Sequence, residues 1–231
     1  MNRRRCSIRL ASFGSYLPGR TFDRYASPSF ASPPHAELKA LDSMSDFKTP
    51  RMHGPWRIES SRVAYEDPWV SLRRDKVTRP DGTPGTYSVV AVKAGVCVIA
   101  YDEGKVHLTE EFHYAVGRVT LEGVSGGIEA GHSAAQMAHR ELEEELGIIA
   151  SELIPMGTLD PFTAGVVSPT SLFVARGLTF GVAKPEATEL ITHRVLTLDN
   201  AIDAVMNGTI THAPTCVILL KMALLGKTQG L

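Results

Sequence analysis

Three glutamates in the run RELEEELG, Glu141, Glu144 and Glu145, stand at i, i+3 and i+4, the spacing that gathers side chains on one side of a helix. Like charges so placed repel, and Arg140, one turn before Glu144, offsets only part of that cost. A hard divalent cation offsets far more, because Mg²⁺ and Mn²⁺ favour clustered carboxylate oxygens. A glutamate-rich helix face is by default merely solvated. The preceding stretch points beyond that default. Gly126, Gly127 and Gly131 permit close backbone approach, and a glycine-rich loop closing onto a helix start suits phosphate-bearing ligands.

Holding these groups requires a defined helix on a rigid support. Ser133-Ala-Ala-Gln136 has the form of a capping box, and the helix it opens runs to about Leu146, with Gly147 as its stop. Ala135, Ala138, Leu142 and Leu146 form the apolar stripe expected to dock on a sheet. Upstream, Asp81-Gly82-Thr83-Pro84-Gly85 separates two alternating runs, so residues 69–92 read as a hairpin. The run from Gly95 to Tyr101 is continuously apolar and suits a strand buried on both faces. Lys105 to Thr109, Leu153 to Leu159, Thr170 to Ala175 and Ile191 to Leu198 read as further strands; 199–206 and 215–225 read as helices. The expected fold is α/β, a mixed sheet sandwiched between helices and preceded by a small antiparallel β region.

Composition sets the remaining bounds. The chain has 231 residues, 43% hydrophobic and 21% charged, with formal net charge −1 and pI near 6.7. That describes a globular protein with no overall field to attract nucleic acid or anionic membrane, so neither is expected as a partner. Cys6, Cys97 and Cys216 are odd in number and widely spaced, which argues against a disulfide framework or a zinc site and fits a reducing, cytoplasmic setting. No apolar run approaches the roughly 18–20 residues of a membrane span. Residues 1–53 differ from the rest: no acid precedes Asp23, arginine and serine are frequent, and SPSFASPP is turn-rich. This segment reads as an organelle-targeting leader, a disordered tail, or sequence upstream of a true start at Met44 or Met52. A β region at 54–92 and a main domain at 93–226 follow.

The run from Gly126 to Ile148 resembles the signature of the Nudix hydrolases: G, five residues, E, seven residues, then R-E-U-x-E-E-x-G-U, where U is a bulky aliphatic residue. Eight of the nine fixed positions match, and the ninth carries His132. The stretches WRIESSRVAYEDPWVSLRRDKVTRPDGTPGTYSVV and HRVLTLDNAIDAVMNGTITHAPTCVILLKMA look like the two ends of the ADP-ribose pyrophosphatase branch, so the resemblance spans about residues 55–225. It implies a Nudix α/β/α sandwich that hydrolyses the pyrophosphate of ADP-ribose or a related nucleoside diphosphate sugar with Mg²⁺ or Mn²⁺. Carried over by position, Glu141 and Glu145 are the principal metal ligands, Glu144 is an auxiliary ligand or water-orienting base, and the Ser125 carbonyl completes the metal shell. Arg140, Glu144 and Glu145 form the catalytic set. Arg118, His113, Glu122, Gly126 and Gly127 fall to the substrate, Trp69 or Tyr87 is a candidate stacking ring, and a homodimer is implied.

Three departures stand out against that pattern. His132 replaces the first box glutamate; an imidazole can accept a hydrogen bond from Arg140 but supplies no negative charge, so weaker metal affinity is expected. His113 takes the place of a phosphate-holding arginine, with Arg118 nearby. The stretch DPFTAGVVSPTSLFVA carries Pro169 where a late catalytic glutamate is expected and has no acid after Asp160. Asp160, Glu186 or Glu189 could replace it only if the fold brings them near. A rival reading is therefore a catalytically weak domain that binds a nucleotide sugar as a sensor, and another is hydrolysis of a different nucleoside diphosphate derivative.

Overall fold

The computed structural model describes residues 46–229; the segment read as a leader or tail lies, as far as residue 45, outside the described residues. Two sheets organise the chain. The first is built from β1 (Arg51–His53), β2 (Trp56–Glu66), β3 (Val70–Thr78) and β4 (Pro84–Val92), each antiparallel to the next. It starts upstream of Gly54, because Arg51–His53 pairs with Trp56–Ile58 across the turn at Gly54. The expected hairpin forms between β3 and β4. Asp81 accepts from the Thr83 N–H at 2.9 Å and its hydroxyl at 2.7 Å, and Gly82 supplies the positive φ the turn needs.

The second sheet contains β5 (Gly95–Asp102), β6 (Lys105–His113), β7 (Arg118–Glu122), β8 (Val124–Gly127), β9 (Ile148–Leu159), β11 (Thr170–Phe180) and β12 (Thr192–Thr197). Its order is β12-β6-β5-β11-β9, with β7 beside β6 and β8 beside β5. β11 runs parallel to β5 and antiparallel to β9, so the sheet is mixed. The two-residue β10 (Val166–Val167) lies between β9 and β11 in sequence but pairs parallel to β4, tying the Pro169 loop to the first sheet.

β5 is buried on both faces, as its apolar run requires. Val96, Val98 and Ala100 pack with Met137, Ala138 and Leu142 of α1 (Ala134–Leu146). Cys97 and Ile99 face the opposite way, against Ala201 of α2 (Leu198–Met206) and Ile218, Leu219 and Met222 of α3 (Ala213–Gln229). One helix on one face and two on the other give the α/β/α sandwich.

Several elements differ from their sequence reading. Gly126 and Gly127 sit on strand β8 and not in a loop. The buried stripe of α1 is rotated: Ala135 is exposed, while Ala134 is half-buried and Met137 fully buried. β9 begins at Ile148, five residues before Leu153. It is an edge strand, so Ser151 and Glu152 can face water without breaking it. α3 begins at Ala213, because Pro214 falls in the first turn, where no N–H is needed. No helix among the described residues is long and apolar enough to cross a membrane.

Candidate active site

The capping box opens α1 as its sequence requires. Ser133 Oγ accepts from the Gln136 N–H at 3.2 Å, and Gln136 Oε1 accepts from the Ser133 N–H at 2.8 Å. At the far end Gly147 takes the left-handed conformation and its N–H bonds Glu143. A Cβ at Gly147 would strike the backbone of Val182 and Ala183, and Gly181 and Lys184 donate to Gly147 and Glu144 carbonyls at 2.7 and 2.8 Å. The helix is therefore clamped at both ends, and its last turn carries acids but no base, the less favourable end of the dipole for negative charge.

The three glutamates do not share one face. Glu145 turns inward and is 8% exposed. Glu141 lies over Gly126, where an added Cβ would overlap its carboxylate, which explains a glycine on this strand. Glu144 points outward and accepts from Arg140 Nε at 2.9 Å. Burial first, then the charges of Glu141, Glu189 and Glu111, push Glu145 up to about 9; a hydrogen bond from the Ser125 N–H acts the other way. Burial, then Glu144, push Glu141 up to about 7 against the pull of Arg140, and Glu189 and Glu129 add smaller upward effects.

Ser125 is placed by strand register. Ile128 N–H bonds the Ala94 carbonyl at 2.7 Å, and Gly126 lies opposite Val96. Bonded and non-bonded pairs alternate in an antiparallel ladder, so the Ser125–Cys97 pair is non-bonded and Ser125 turns both its N–H and its C=O away from β5. The N–H meets Glu145. The carbonyl, like the N–H, points away from β5.

Among the described residues, no three His, Cys, Asp or Glu side chains form a ready-made metal cage. The fit to a cation rests instead on donor chemistry. Two hard carboxylate donors, Glu145 buried and Glu141 half-buried, stand where their charged forms are disfavoured and a cation would offset that cost, and Glu144 is one turn away.

A cleft of ≈ 340 Å³ opens beside this group, lined by Trp69, Lys93, Ser125, Gly126, Thr170 and His212 among others. Trp69 projects from a corner fixed by Asp67, which accepts from the Trp69 and Val70 N–H groups at 2.8 and 2.7 Å, and it is 68% exposed. Tyr87, the other candidate ring, packs edge-on against Trp56 at 5.5 Å and donates its hydroxyl to the Ala164 carbonyl.

The remaining predicted residues gather on the α3 side. His113 faces Arg118 across the β6–β7 pair. Arg118 donates to Thr211 Oγ1 at 2.7 Å, and His113 Nε2 lies 3.5 Å from Glu122. Glu122 is not open to substrate: Thr120 donates to it at 2.7 Å and His212 Nδ1 lies 3.3 Å away. His212 also bonds Thr215, whose hydroxyl accepts the Gly123 N–H at 2.8 Å. Burial holds His212 below the ordinary imidazole range, although the Glu122 charge draws it up.

Sequence reasoning missed His212, whose partner Glu122 lies far away in the chain. It also missed Glu111 and Glu129, although Glu129 stands only three residues before His132. Of the acids proposed to replace the late glutamate, the fold brings Glu189 close enough to act on both Glu141 and Glu145. The loop around Pro169 is pinned between the sheets, its carbonyl taking the Gly95 N–H at 2.9 Å.

Comparison with known proteins agrees with this geometry. A family model described as the nucleoside diphosphate sugar hydrolase N-terminal domain matches residues 56–90, and one described as the NUDIX domain follows it over 91–204. An ADP-ribose pyrophosphatase of Bacillus subtilis is 28% identical over 171 residues, 68% of this chain and 89% of its own length. The methanol dehydrogenase activator of Bacillus methanolicus is 29% identical over 157 residues, 64% and 82% respectively. The crystal structure of an ADP compounds hydrolase superposes with a TM-score of 0.66 at 17% identity, covering 80% of this chain and 99% of the other, which supports the fold. With the signature helix, the β8 glycines and the two matched domains in register, the chain belongs to the Nudix hydrolases, in the ADP-ribose pyrophosphatase-like branch.

Proposed function

We propose that the chain cleaves the pyrophosphate bond of ADP-ribose or a related nucleoside diphosphate sugar, in the presence of Mg²⁺ or Mn²⁺, to AMP and a sugar phosphate. The observation that carries this reading is the pair of inward-turned carboxylates at the side of a cleft, Glu145 buried and Glu141 half-buried over Gly126, whose surroundings disfavour their charged forms. Glu141, Glu145 and the Ser125 carbonyl would hold the cation, with Glu144 as auxiliary ligand. Bound there, a cation would neutralise charge on the phosphoryl oxygens.

The chain's own residues supply the rest. Glu144, held by Arg140, orients the attacking water and takes its proton on a carboxylate oxygen, and Glu189 is the second acid within reach. Lys93 lines the cleft as a cation for the phosphates. Arg118, opposite His113 across the β6–β7 pair and bonded to Thr211 next to His212, adds positive charge on that side. Trp69 offers an exposed face to a base. The exposed Met52 and Tyr65 of the first sheet, with Trp69 at its β2–β3 corner, support a homodimer built through that sheet.

Purified protein incubated with ADP-ribose and either Mg²⁺ or Mn²⁺ should release AMP, and chelation should stop it. Release from other nucleoside diphosphate derivatives but not from a nucleotide sugar would move the substrate class. Binding of a nucleotide sugar with no turnover at any metal concentration would leave a sensor domain instead.

A further inference from the structure

We infer that Glu129 is the positioning residue that fixes Arg140, and through it Glu144, so that the metal-facing helix needs no acid at position 132. This rests on the metal-site reading above. The first observation is a fork. Arg140 Nη1 lies 3.1 Å from Glu129 Oε2, while its Nε donates to Glu144 Oε1 at 2.9 Å. A guanidinium holds two carboxylates in fixed relative positions because its donors are planar and rigid. His132 takes no part: its side chain is exposed and makes no hydrogen bond or ion pair with any described residue.

The second observation explains how an acid three residues early can reach. Glu129, Ala130, Gly131 and His132 close a turn in which the His132 N–H bonds the Glu129 carbonyl at 3.1 Å. Gly131, third in that turn, has φ +85, the conformation a type II turn demands there. The first and fourth residues of such a turn lie within about 7 Å of each other. A carboxylate moved from 132 to 129 is thus far displaced in sequence but little in space.

The third point separates positioning from mere stability. Arg140 and Glu129 are 43% and 50% exposed, and exposed ion pairs add little to folding. Removing Glu129 therefore leaves the fold intact. It also leaves Arg140 with a single partner on its own helix, free to swing with Glu144 away from Glu141.

The test is Mn²⁺ titration calorimetry on the full chain, with thermal melting alongside, for wild type, Glu129→Gln, His132→Glu and the double variant. Glu129→Gln should weaken Mn²⁺ binding about 10- to 100-fold, as loss of an outer metal-site partner does, with the melting temperature unmoved. Adding His132→Glu to it should restore most of the affinity, whereas His132→Glu alone should change little. Gly131→Ala, strained only through its backbone since a Cβ there meets open space, should weaken binding in the same direction. Wild-type affinity in Glu129→Gln, or no recovery in the double variant, overturns the inference. Absence of Mn²⁺ binding by the wild type overturns the metal-site reading itself, and this inference with it.

Discussion

Glu145 on the α1 side of the second sheet and Glu122 on its α3 side are both glutamates largely withdrawn from water, and they differ in their company. Glu122, with 14% of its side chain exposed, accepts from the Thr120 hydroxyl and has the rings of His113 and His212 at 3.5 and 3.3 Å. Glu145, 8% exposed, has one N–H from Ser125 and otherwise faces Glu141, Glu189 and Glu111. A buried carboxylate costs free energy unless paired, so the first arrangement is complete in itself and the second is not. Nothing in the packing of α1 requires acids at 141 and 145; apolar residues there would extend the stripe of Met137, Ala138 and Leu142. The unbalanced side is the one built to receive a charge from outside.

The sharpest way to break this contrast is Glu145→Gln. It should lower the Mg²⁺-dependent hydrolysis rate about 100-fold or more, the equivalent of roughly 3 kcal/mol of transition-state stabilisation. The same change should raise the melting temperature of the metal-free protein at pH 8, because the wild-type carboxylate must take up a proton to be buried there and a glutamine need not. Steady-state rates and melts on the same preparation check both. A variant that loses activity and stability together would make Glu145 a structural residue.

Next in size is a pH effect. Glu141 and Glu145 are raised above the usual carboxylate value of 4.5, to about 7 and about 9. Groups raised on folding contribute stability that is fully present below about pH 4.5 and is lost as pH climbs through their folded values. The metal-free protein should therefore lose melting temperature between about pH 5 and pH 9. Saturating Mg²⁺ should flatten that slope, since a cation favours the charged forms. A slope identical with and without Mg²⁺ would separate the carboxylates from any metal.

What could be read in the sequence, and what could not, follows the same division. α1 was legible because its cap, stop and acids are local: Ser133, Gln136 and Gly147 act within a few residues of one another. β5 was legible because burial on both faces leaves an unbroken apolar run. The pattern placed the three glutamates together but could not show that Glu144 turns out to Arg140 while Glu141 and Glu145 turn in, a choice made by the sheet against which the helix rotates. β8 was hidden because glycine is a poor strand former; Gly126 is tolerated there because Glu141 needs the space a side chain would fill. The Glu122 cluster was invisible as a cluster, since His212 reaches Glu122 only through the docking of α3 beneath β5.

On the satisfied side, Glu122→Gln should cost about 1–3 kcal/mol of stability by unmaking charge-assisted bonds in a largely buried place. Denaturant midpoints should show the same loss with and without Mg²⁺. A loss that Mg²⁺ erases would place Glu122 among the metal ligands and collapse the distinction between the two sides.

The smallest effect belongs to Glu143, between the two sets on the same helix. It is exposed, and only its backbone carbonyl is used, in the Gly147 cap. Glu143→Gln should leave stability within about 0.5 kcal/mol and metal affinity unchanged by calorimetry. It removes as much formal charge as Glu145→Gln does, one turn of the same acidic run. If acidity of the helix as a whole were what drew the cation, the two variants would behave alike. If burial without a partner is what matters, only the inward-turned glutamates respond, and Glu143 marks the baseline against which Glu145 is judged.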